Sequence, residues 1–162
     1  VPHRGNATQS PEEAAVVVGI VRDLVGRTWT DISIGEAGQA ATCEPRPLAQ
    51  RDVIVVTPYN AQQVTVEQAL AAAGFPDVPV GTVDKFQGQE AAVAIVSLAA
   101  SSGREAPRGL EFLLLRNRLN VAVSRAMHTA YLVHSPWLLD DLPYTPEGVA
   151  RLSGFARLVG RG

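Results

Sequence analysis

Three stretches concentrate the side chains able to do chemistry. In "NRLNVAVSRAM", residues 117–127, Leu119, Ala122, Val123 and Ala126 recur with the period of a helix, an apolar ridge. Arg118 and Arg125, seven apart, share one flank of that ridge, and Asn120 and Ser124, four apart, share the other. A guanidinium is a rigid, permanently charged fork suited to phosphate oxygens. In "TPYNAQ", residues 57–62, a hydroxyl can bond a phosphate oxygen and a tyrosine can offer a stacking face. "GTVDKFQGQE", residues 81–90, carries Asp84 and Glu90, but no histidine or nucleophile is spaced to join them in acid–base work. Taken singly, each stretch also reads as ordinary structure: a turn with a helix cap, a turn with Phe86 tucked into the core, a solvated helix face. His3, His128 and His134 share no metal-like spacing and read as structural or surface residues, so no metal site is expected.

Composition narrows the setting. The chain of 162 residues suits one ordinary domain, and 46% hydrophobic with 19% charged residues is the balance of a soluble globular protein. A net charge of -2 means that any nucleic-acid contact must come from a local basic surface. The single cysteine, Cys43, excludes an intramolecular disulfide framework and a multi-cysteine zinc site. No apolar run approaches membrane length and no signal peptide opens the chain, so a cytoplasmic location with no membrane contact is expected. The beginning, "VPHRGNATQS", reads as the end of a strand and a loop, pointing to a fragment of a longer chain.

The elements that must position these residues follow from the pattern. Ser10, Pro11 and Glu13 mark a helix start, an apolar run follows over 14–25, and Gly26 closes it. Residues 28–51 lack sustained periodicity and read as an irregular insertion, with a short strand around Ile32 to Ile34. Val53 to Val56 is a β-branched run fit for a strand buried on both faces. Asn60 with Gln63 forms a capping-box pattern for a helix reaching about Ala73, ended by Gly74. Further strands are predicted over 78–83, from near Ala92, and over 129–135; Thr145 and Pro146 open a C-terminal helix over 145–160. This alternation predicts an open, mostly parallel α/β sheet, whose ligands sit at the carboxyl ends of its strands.

The order "VVTPYNAQ", "VGTVDKFQGQE", "RNRLNVAVSRA" resembles motifs IV, V and VI of superfamily 1 helicases, particularly their B branch. The resemblance runs from about Val53 to Ser135, and "NATQSPEEAAVVV" resembles the helix that opens the family's second motor domain. It implies a single RecA-like domain of the P-loop NTPase type over 1–162, with helices on both faces of the sheet. It implies that Arg125 is an arginine finger reaching toward the γ-phosphate of ATP, with Arg118 in a supporting role. Glu90 is expected on the nucleotide ribose, with Gly88 letting the backbone approach closely. Thr57, Pro58, Tyr59, Thr82 and Gln87 are expected along a single-stranded DNA or RNA track. Asn120 and Ser124 would tie the third motif to its neighbours.

The chain lacks a G-x-x-x-x-G-K-[ST] loop and an acidic magnesium cluster; its one lysine, Lys85, adds positive charge beside the expected track. ATP and Mg2+ would therefore be held mainly by an N-terminal RecA-like domain of the same protein, and this chain would not hydrolyse ATP alone. The implied function is the C-terminal motor domain of a 5′-to-3′ helicase. A non-catalytic nucleic-acid-binding or scaffold module that keeps the fold is the alternative, and an unrelated flavodoxin-like fold a third.

Overall fold

The structure, a computed structural model, describes residues 1–30, 32–34, 40–42, 44–86, 88–107, 109, 113, 123–140 and 145–160. The chain opens with helix α1, Pro11–Leu24. Ser10 caps it, its hydroxyl accepting the Glu13 N–H at 3.1 Å, and Pro11 occupies the first turn, where a missing N–H costs nothing. Gly26 follows its end at φ +88°, a backbone conformation that favours glycine.

The segment that follows is more regular than its sequence implies. Strand β1, Thr28–Trp29, pairs antiparallel with β4, Arg46–Pro47, and β2, Ile32–Ile34, with β3, Ala40–Thr42. The two ladders are nested and form one antiparallel excursion, extended at its base by the Gly26–Leu48 and Leu48–Arg27 backbone bonds at 2.9 and 2.8 Å. Residues 28–51 are thus not irregular. Their pairing is between short segments too small and mixed to show an alternating pattern.

The main sheet holds β5, Val53–Val56; β6, Val80–Gly81; β7, Ala91–Ser97; and β8, Ala126–Val133. Its order is β6-β5-β7-β8 and every pair is parallel, which explains continuous apolar runs in place of alternating ones. Helix α2, Asn60–Ala72, links β5 to β6, and α3, Pro146–Leu158, follows β8. Val53, Val55, Val93 and Ile95 face α1 and α2 through Val17, Val21, Val66 and Leu70. Ile54, Val56, Ala94 and Val96 face Phe86 and, from α3, Leu152 and Phe155. Helices therefore cover both faces, as the RecA-like, P-loop NTPase reading requires. Each fully buried Val or Leu of these layers contributes about 1.5–3 kcal/mol relative to an exposed one. Among the described residues no helix is long and apolar enough to cross a membrane.

Two boundaries differ from expectation. The cap of α2 is Tyr59, with no side-chain cap bond, and Asn60 is already helical. The helix expected to run through 117–127 has ended by Val123: Ser124 and Arg125 form a turn, and Ala126 and Met127 begin β8.

Candidate functional site

The sheet sorts the candidate residues onto two edges. Val56 pairs with Gly81 at the carboxyl ends of β5 and β6, so Thr57, Pro58, Tyr59 and Thr82 emerge together there. Ala91 pairs with Ala126 at the amino ends of β7 and β8, so Glu90 and Arg125, each one residue earlier, emerge together at the opposite edge. Residues 82–90 cross the sheet between the two edges, which lie about 20 Å apart at the rise of a strand. The expectation that all three polar stretches gather at the carboxyl edge is therefore corrected. A parallel strand must be re-entered at its amino end, and the end of the second stretch is that entry.

At the amino edge, the Arg125 carbonyl accepts the Ala91 N–H at 2.9 Å, while its guanidinium reaches the Gln89 carbonyl at 3.4 Å and the Ser124 hydroxyl at 3.3 Å. Gly88, Gln89 and Glu90 are exposed beside it. Ser124, assigned by helical phase to the flank away from Arg125, instead touches it, because the helix has ended and its phase no longer applies. Gly88 has φ +79°, and a Cβ there would meet nothing within 4 Å. Its glycine answers to backbone conformation and not, within this chain, to close approach. Arg118, Asn120 and Gln87 lie outside the described residues.

The carboxyl edge is more enclosed than expected. Thr57 is fully buried, its N–H donating to the Gly81 carbonyl at 3.0 Å and its hydroxyl accepting from the Tyr59 N–H at 3.5 Å. Tyr59, 9% exposed, belongs to the core with Ile54, Val56 and Phe86, so its ring offers no stacking face in this conformation. The half-exposed groups there are Pro58 and Thr82. Lys85, expected to add charge to the track, folds back across Gly81 and donates to the Val80 carbonyl at 2.6 Å.

Behind this edge lies a polar network with no local signature in the sequence. The buried Glu13 carboxylate accepts from His3 Nε2 at 2.9 Å, from the Ser97 hydroxyl at 2.7 Å and from the Ala99 N–H at 3.0 Å. Gln62 Nε2 donates to Ser97 Oγ at 2.9 Å, and Gln62 Oε1 accepts the Ser10 N–H at 2.6 Å. His3 Nδ1 meets Ser101 Oγ at 2.7 Å and Asn6 Nδ2 at 3.1 Å. With Nδ1 accepting from both, Nε2 carries the proton given to Glu13; this tautomer is assigned from the bonding pattern. Glu13 sits where a capping residue belongs, so a local role already accounts for it, and its partners stand 84 and 86 residues away. Ala99, the last of them, is buried at φ +66°, a left-handed turn costing about 1–2 kcal/mol for a residue with a Cβ. That turn directs the chain leaving β7 toward Ser101. Among the described residues no group of three or more His, Cys, Asp or Glu is placed to hold a metal ion.

With this geometry in view, the comparisons with known proteins can be weighed. A sequence model described as an AAA domain matches residues 3–136. The DNA polymerase alpha-associated DNA helicase A of Schizosaccharomyces pombe is 44% identical over 78 residues, 48% of this chain and 11% of that protein. The DNA replication ATP-dependent helicase/nuclease JHS1 of Arabidopsis thaliana is 29% identical over 140 residues, 85% of this chain and 9% of that protein. The 3′-5′ exoribonuclease HELZ2 of Homo sapiens is 30% identical over 149 residues, 85% of this chain and 4% of that protein. The chain thus spans a small fraction of the length of the relatives it matches.

Proposed function

The chain belongs to the AAA domain family, and from that premise we propose that it is the second motor domain of an ATP-dependent superfamily 1 helicase. It is a helicase-type α/β domain; its role as C-terminal partner of a phosphate-loop domain, and its place in the B branch, are parts of the proposal. The observation that carries the reading is the partition of the sheet. Arg125, Glu90 and Gly88 stand at the amino edge, and the residues resembling a strand track stand at the carboxyl edge.

The groups at the amino edge suit a nucleotide. Arg125 supplies a permanent positive charge with several donors, Glu90 an exposed acceptor for a ribose hydroxyl, and Gly88 a backbone free of a Cβ. Bound ATP with Mg2+, held mainly by the N-terminal domain, supplies the phosphoryl group whose loss drives the motor. Arg125 offsets the negative charge on that group, and Glu90 orients the sugar. At the carboxyl edge Pro58 and Thr82 face the single strand of DNA or RNA, while Thr57 and Tyr59 hold the loop's shape from within. The peptide that joins the two edges, 82–90, is one continuous covalent path between nucleotide and strand. Opening and closing of the two-domain cleft would move the strand in the 5′-to-3′ direction, one step per cycle.

The test is Arg125→Ala in the full-length protein. ATP turnover should fall on the order of 10³-fold while single-strand affinity stays within a few-fold. Turnover preserved within a few-fold would exclude Arg125 as the arginine finger.

A further inference from the structure

The carboxyl edge continues beyond the residues assigned above. Ser101 follows the end of β7 by four residues and Trp137 follows the end of β8 by four, which places both on the edge that Thr57 and Thr82 share. Between them, closed on another side by the N-terminal segment, is a cavity of about 390 Å³. That volume is within the range of small-ligand sites.

Its walls are built and oriented. The Arg4 guanidinium lies over the Trp137 ring, 4.6 Å from the centroid, an arrangement that fixes its plane through its face and leaves its edge of N–H donors unused. Those donors have no hydrogen-bond or ion-pair partner among the described residues. Arg104 lines the same cavity. Glu105, which could neutralise them, is committed elsewhere: one oxygen accepts the Gly5 N–H at 2.9 Å and the other the Ser102 hydroxyl at 3.2 Å. The exposed Asp140 carboxylate adds an acceptor to the lining. A bare phosphate would meet repulsion from Asp140, whereas a nucleotide offers phosphate oxygens to the arginines and sugar or base donors to the carboxylate.

We propose that this cavity holds one nucleotide unit of a bound single strand, its phosphate gripped by Arg4 and Arg104. The inference rests on the strand-binding reading above and extends it. From β5 to β8 the edge spans two inter-strand steps, about 10 Å, so a strand crossing the sheet ends reaches the cavity without leaving the surface. The left-handed turn at Ala99 and the His3–Ser101 bond set the two sides of the cavity relative to each other.

The experiment is anisotropy of labelled oligothymidylate and oligouridylate with the full chain, between about 50 and 200 mM salt. Arg4→Ala should weaken binding about 5- to 10-fold and flatten the log–log salt slope by about 0.7, the loss of one phosphate contact. Arg4→Lys should retain the slope with reduced affinity, since the charge remains and the stacked fork does not. Arg104→Ala should behave as Arg4→Ala does, and each variant's melting curve is taken alongside.

If the wild type binds the strand but Arg4→Ala and Arg104→Ala bind within about twofold at unchanged slope, the cavity assignment fails and the track stands. If the wild type binds no strand, both fail. If Arg4→Ala weakens ADP binding and leaves oligonucleotide binding intact, the cavity takes a free nucleotide and the proposal is overturned.

Discussion

At Gly88 the backbone turns into the left-handed region with open space where a Cβ would stand. Gly88→Ala should therefore cost only about 1 kcal/mol in urea denaturation, the price of the backbone conformation alone. A loss above about 3 kcal/mol would mean that a side chain at Gly88 is sterically excluded. Gly81 is different: an added Cβ would stand 2.3 Å from Lys85 Cδ, so the lysine must leave its place over the strand end. At this scale the sequence was informative about identity and poor about direction. The residues of the three stretches could be picked out because their spacing is local. Where Arg125 and Ser124 point could not, because the helical phase that assigned them to opposite flanks stops at Val123. Tyr59 shows the same limit, since a tyrosine beside a strand end reads equally well as core or as stacking platform.

Among the elements, the paired excursion between α1 and β5 is anchored by one ion pair. Arg46, in β4, bonds Asp52 through both guanidinium nitrogens, at 2.5 and 2.7 Å, and Asp52 also accepts the Ala49 N–H at 2.7 Å. The Arg46 bonds foremost, then the Ala49 N–H, hold the Asp52 carboxyl below its ordinary value of 3.8 despite partial burial. A depressed folded-state value contributes stability that is present above the unfolded value and lost as pH falls through the folded one. Asp52→Asn should accordingly lower the melting temperature at neutral pH, and the gap to wild type should close once the pH drops below 3.8. A gap unchanged across that window would show that the carboxylate's charge does not matter there. The excursion itself was not legible because its strands are two or three residues long, too short for any period to appear. The buried strands of the main sheet were legible for the opposite reason, as β-branched runs read directly as double-sided burial.

For the whole molecule, the defining property is that one sheet presents two chemically distinct edges joined by a single crossing segment. The order of the stretches along the chain gives no hint of this, because the partition depends on which strand 82–90 re-enters, a three-dimensional fact. The carboxyl edge is held by the Glu13 network, which ties α1, α2, β7 and the N-terminal segment into one unit. Glu13→Ala strips partners from His3, Ser97 and Ala99 at once and should lower unfolding free energy by about 3–5 kcal/mol. Chemical denaturation measures it; a loss below about 1 kcal/mol would show that the network is replaceable by water.

The span of that network also bears on how the chain is made. Glu13 leaves the ribosome long before Ser97 and Ala99, which lie 84 and 86 residues downstream. Until they emerge, α1 carries a carboxylate that cannot be buried with its donors in place, and contacts so distant in sequence are slow to form. The amphipathic helix must wait, undocked, through most of synthesis, its apolar face open to a chaperone or to a neighbouring nascent chain. The acid that secures the finished carboxyl edge thus sets the moment at which the growing polypeptide can close.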